Sequence, residues 1–138
     1  MRVTELAVRK RICIIHIDPV AGTVRELRDE LLTLDRLHEL TGCQTITSFR
    51  VDERHIAYCD DNGFYRTPDA NGCLPQTWFR RANQPIVGAI VIVGTPQPMD
   101  PEGYETDCTL TVQQVEEAIE RFCLEPLGPV PPTRVYRP

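Results

Sequence analysis

The spacing of apolar and polar residues changes several times along the chain, and each spacing predicts an element. "RICIIHID" (residues 11–18) is a nearly unbroken apolar run, rich in Ile and stopped by Pro19, which reads as a central strand. "PVAG" turns the chain and "TVREL" (23–27) alternates, so the two segments form a hairpin. "TLDRLHELTG" (33–42) shifts to helical spacing, with Leu34, Leu37 and Leu40 as the apolar stripe. Thr33 is its N-cap, Asp35 suits the first turn, and Gly42 supplies the left-handed residue that ends it. "CQTITSFRV" and "RHIAYCD" return to strand composition, with Asp52 and Glu53 in the turn between them. Asp60, Asp61, Asn62 and Gly63 then close a further hairpin leading into "FYR".

"PIVGAIVIVG" (85–94) is the strongest strand signal, and its β-branched run implies burial on both faces or a central position. A Pro-rich linker follows. "LTVQQVEEAIERFC" (110–123) reads as a helix, opened by a capping box of Thr111 and Gln114. Val112, Val115, Ile119 and Phe122 share its buried face, and Glu116, Glu117 and Glu120 lie outside. The pattern predicts one α+β domain over residues 1–124, a mostly antiparallel sheet with two helices packed on one face. Residues 125–138 form a Pro-rich tail whose spacing favours mobile polyproline II.

Composition narrows the function classes. With 138 residues the chain is the size of one domain and needs no disulfides to hold its core. A formal net charge of −5 argues against nucleic acid as the main partner, although Arg66, Arg80 and Arg81 cluster in sequence. No secretory leader is recognisable in "MRVTELAVRKRICIIHI", and no apolar run reaches membrane-spanning length. The expected location is therefore the cytoplasm of a bacterial host, with the six cysteines as thiols. Cys59 and Cys73 flank a loop where a disulfide or redox pair would be the alternative, and Cys13 and Cys123 read as core residues.

Candidate chemistry was weighed against plainer explanations. His38, Cys43, His55 and Cys59 are of zinc-ligand type. However, His55 and Cys59 lie four residues apart on a strand, roughly 13 Å, too far for one ion. No metal and no cofactor is expected. Asp60, Asp61 and Asn62 lack the alternating ligands and distant Glu of a calcium loop, so turn chemistry explains them. His16 and Asp18 are two apart on a strand and form either an acid–base couple or a solvent-facing pair. No nucleophile elbow or phosphate loop is present, so no catalytic residue is assigned and no enzyme is expected. The remaining signal is aromatic rings beside arginines in the loop of residues 65–81. Tyr65, Arg66, Trp78, Phe79, Arg80 and Arg81 are the candidate binding residues. Core packing is the plainer reading for one of Trp78 and Phe79, and a solvated turn for the two arginines.

The order of these elements resembles a small family known only as a domain of unknown function, found in phages, plasmids and other bacterial mobile elements. The likeness rests on "ICIIHIDP", "TLDRLHELTGC", "IAYCDDNGFY", "LPQTWFRRA" and "PIVGAIVIVG" with its following helix, roughly residues 11–122. Gly42-Cys43 stands where the family usually has Gly-Gly, and Gln76-Thr77 where an Asn usually follows the Pro. The resemblance implies a mobile-element context and supplies no catalytic residues. Together these features lead us to expect a non-enzymatic binding protein that modulates a host protein, such as a counter-defence inhibitor. The alternatives are a protein that binds or sequesters a nucleotide or other small anionic ligand, including a small enzyme acting on one, and a nucleic-acid accessory protein. An exposed sheet edge also permits a homodimer.

Overall fold

A computed structural model describes residues 10–63, 74–82, 84–96 and 104–124. The chain opens with the expected hairpin of β1 (Ile12–Asp18) and β2 (Thr23–Glu30). Its turn is fixed by Asp18, whose Oδ1 accepts the Val20 and Ala21 amides at 3.0 and 3.3 Å. Helix α1 (Leu34–Thr41) starts where Thr33 Oγ1 accepts the Arg36 amide at 3.1 Å. It ends where Gly42, in the left-handed region, donates to the His38 carbonyl. A second hairpin pairs β3 (Ile46–Asp52) with β4 (His55–Asp60). After it come β5 (Gln76–Phe79), β6 (Ile86–Val87), β7 (Ile90–Gly94), α2 (Val112–Ala118) and β8 (Ile119–Cys123).

The strands form two sheets, a five-stranded one in the order β2-β1-β7-β4-β3 and a three-stranded one in the order β6-β5-β8. Every strand pair among the described residues is antiparallel, so the protein is α+β with a mostly antiparallel sheet and two helices. No helix among them is long and apolar enough to cross a membrane.

The helices, expected on one face, lie against opposite faces of the large sheet. Strand β7 is buried at all five positions, and its side chains alternate between two cores. Val91 and Val93 join Ile12, Ile14, Leu32 and the α1 residue Leu37. Ile90 and Ile92 join Ile15, Ile17, Ala57, Cys59 and, from α2, Val115. Each fully buried side chain of this size is worth about 1.5–3 kcal/mol. A central strand that is apolar on both faces therefore needs a covering layer on each.

Two further expectations are corrected. The run of residues 85–94 is not one strand: it breaks at Gly88, whose φ of 89° lies where only glycine sits easily. Ile86 and Val87 pair in the small sheet, while residues 90–94 pair in the large one. The helix expected through residue 123 ends at Ala118. Its capping box forms as read, with Thr111 and Gln114 exchanging bonds of 2.8 and 3.0 Å. From Ile119 the chain becomes β8 and pairs with β5. A single short helix is marginal alone, so ladder bonds to β5 outweigh the one further turn or so of helix that five residues would add. Ile119 and Phe122 still reach the core cluster that includes Val115.

Candidate functional site

Within "LPQTWFRR", where a loop was expected, Gln76–Phe79 form a strand, and it is the middle one of the small sheet. Of the six candidate binding residues, Tyr65 and Arg66 lie outside the described residues. Trp78 and Phe79 are neighbours on a strand and so point to opposite faces. Phe79 packs against the core cluster. Trp78 faces Arg121 directly across the β5–β8 ladder, and that guanidinium stacks 4.8 Å from its ring centre. This is cation–π geometry, worth about 0.5–1 kcal/mol at an exposed site.

Arg80 also has an internal task. Its amide donates to the Ala118 carbonyl at 3.0 Å and its Nε to the Glu117 carbonyl at 2.8 Å. It thereby satisfies the carbonyls left open at the C-terminus of α2 and places positive charge at the negative end of the helix dipole. Arg81 is exposed and makes no hydrogen bond or ion pair among the described residues.

Between the two sheets lies a groove of about 870 Å³. One wall is β3, which ends the large sheet and sends Thr47, Phe49 and Val51 inward. Cys59 and Ile92 form the floor, and Phe79, Ile86 and Val87 of the small sheet form the other wall. Arg50 lies among the β3 residues of the lining, Arg80 and Glu117 line it beside the small sheet, and two carboxylates mark one end. Asp60 pairs in register with Ile46 at the start of β3, and Asp61 adjoins it. Gly63 sits there too, so close to Val87 that a β-carbon on it would come within 2.8 Å of that side chain. From Val87 the β5–β6 hairpin runs away from Gly63 to its tip, which carries Arg81. The Asp60 side chain is held by the Asn62 amide at 2.9 Å and the Thr45 hydroxyl at 3.4 Å, the turn chemistry expected of this stretch.

His16 and Asp18 do not pair. His16 is buried on the α1 side, with Nε2 donating to the Leu40 carbonyl at 2.8 Å and Nδ1 accepting from Arg25 at 3.4 Å. Asp18 is spent on its turn. Of the zinc-type residues, His38 Nδ1 donates to the Cys43 carbonyl at 2.7 Å. No group of three His, Cys, Asp or Glu gathers as a metal set among the described residues. Cys13, Cys43, Cys59, Cys108 and Cys123 are free thiols. Cys13 and Cys123 are half-buried, where core positions were expected.

Sequence reading missed one constellation. Buried His55 donates from Nδ1 to Asp52 at 2.9 Å, and its Nε2 accepts from the Thr109 hydroxyl at 2.9 Å. Burial works against the Asp52 charge, but the Arg54 amide and the His55 ring together hold its carboxyl below the usual range. The order hydroxyl–imidazole–carboxylate is that of an activated nucleophile. Here, though, the Thr109 amide also donates into the same Nε2 lone pair at 3.1 Å. A proton arriving at Nε2 would meet that N–H head-on, so the ring serves as a clasp tying residue 109 to the β3–β4 hairpin. Thr109 lies 54 residues from His55, beyond any local pattern.

The family model for DUF3846, a domain of unknown function, matches residues 10–123, and the chain belongs to that family. No curated protein and no solved structure matches it.

Proposed function

We propose that this protein acts by binding, holding part of a partner protein in the groove between β3 and the small sheet. The observation that carries the reading is the pair of facing walls. Phe49 and Val51 oppose Phe79 and Ile86 across one concavity, and Val51 is 41% exposed. Clefts walled mainly by apolar side chains with a few charged groups are where proteins take ligands. The likeness to proteins of phages, plasmids and other mobile elements suggests the partner: a host protein whose activity is modulated, as by a counter-defence inhibitor.

A second reading has one observation in its favour. The uncommitted guanidinium of Arg81 lines the same groove and would suit a small anionic ligand such as a nucleotide. Nucleic acid fits less well, given the net charge of −5 and two carboxylates at the groove's other end.

The test is affinity capture from lysate of a natural bacterial host, followed by mass spectrometry. Val51→Asp places a charge on the groove wall at an exposed position and is expected to lose the specific partner. Trp78→Ala, on the opposite face of β5 from Phe79, is expected to keep it. Capture of the same proteins by wild type and Val51→Asp would contradict the reading. A nucleotide-dependent rise in melting temperature that Arg81→Ala abolishes would favour the second one.

A further inference from the structure

We infer that the partner segment is an extended strand that adds to the outer edge of β3. Alternate apolar side chains enter the groove, a cationic residue lies toward Asp61, and an anionic residue lies toward Arg81. This rests on the binding reading above and specifies its ligand.

Three observations lead to it. Strand β3 ends the large sheet among the described residues, so on its outer side alternate amides and carbonyls have no strand partner there. The far end of β3 is blunted by a bulge at Val51 between charged Arg50 and Asp52, yet Val51 itself is apolar, 41% exposed and turned toward the groove, and Ile46–Arg50 before it pairs regularly. Along the regular part of β3 an added strand would continue the pleat, so alternate side chains would fall beside Thr47 and Phe49, facing Ile86 across the groove, with Val51 at the end of this run.

The charges set polarity. Exposed Asp61 stands at the start of β3, and the hairpin tip with Arg81 lies away from it. A strand bearing opposite charges at its two ends satisfies both, whereas a uniformly acidic or basic segment is repelled at one. A second copy of this chain could also pair through β3. In an antiparallel β3–β3 pair, however, the Asp52–Glu53 end of the second copy would lie beside Asp61, like charge against like, and this decides for the peptide.

The experiment is selection of a random-peptide library on the whole chain, with counter-selection on Val51→Asp. Enriched sequences are expected to alternate apolar and polar residues and to carry opposite charges at their ends. N-methylation of the peptide amides that face β3 should weaken binding roughly tenfold or more, because each blocked amide removes a ladder hydrogen bond. Arg81→Glu should shift selection away from peptides with an acidic end. Failure of any peptide to enrich, or indifference to N-methylation, would overturn strand addition. If Val51→Asp still abolished capture of the cellular partner, the groove reading would stand. Sedimentation showing a dimer that Val51→Asp dissociates would assign the edge to a second copy instead.

Discussion

Arg80 and Arg81 are adjacent in sequence, yet they do different things. The first closes the end of α2 through two backbone carbonyls, and the second is left to meet whatever enters the groove. Nothing in "WFRR" separates them, because the distinguishing partner, the end of α2, lies 37 residues further on. Trp78 and Phe79 divide in the same way, although here the period of a strand foretells that one faces the core and one does not. Cys59 carries a residue-scale prediction. Burial, then the nearby Cys43, Asp60 and Asp61, push its thiol up to about 12. A value raised on folding means full stability below the ordinary 9.0 and loss as pH rises toward about 12. Urea unfolding across that alkaline window should show the decline, and Cys59→Ala should lessen it, the remainder coming from Cys108, which burial raises to about 11. An unchanged slope would count against the buried placement.

Among the elements, those set by neighbouring residues were legible. The first hairpin, α1 with its caps, the β3–β4 hairpin and the capping box of α2 all follow from side chains within a few positions of the backbone they serve. The two misread elements share a cause. The run of residues 85–94 is apolar throughout, so only Gly88 marks the change of sheet, and one glycine in a strand also fits an unbroken run. Residues 119–123 keep helical spacing, but β5 offers hydrogen bonds that no local pattern reveals. The clasp through His55 joins elements in the same non-local way. Replacing it with Ala removes a buried ring and leaves the Thr109 amide without its acceptor. The expected cost is about 2–4 kcal/mol in a chemical denaturation midpoint. Thr109→Val removes the hydroxyl alone, keeps the amide bond and should cost less than about 1 kcal/mol. Equal losses would mean that the hydroxyl carries the clasp.

At the scale of the whole molecule, a family of unknown function gains a physical description: two antiparallel sheets, a core on each face of the larger one, and a groove between the sheets. The residue types suited to binding were legible in the sequence, but the groove was not. Its walls come from residues 47–51, 79–82 and 84–87, which meet only because the small sheet packs over one face of the large one. The net charge of −5 pointed away from nucleic acid without revealing that the groove itself carries both signs. Hydrogen–deuterium exchange of the β3 amides, with and without the captured partner, tests the account most directly. On binding, the alternate β3 amides that face away from β4 should become strongly protected, while exchange in α1 stays unchanged. Protection elsewhere on the surface, with β3 exchanging as in the free protein, would contradict the account.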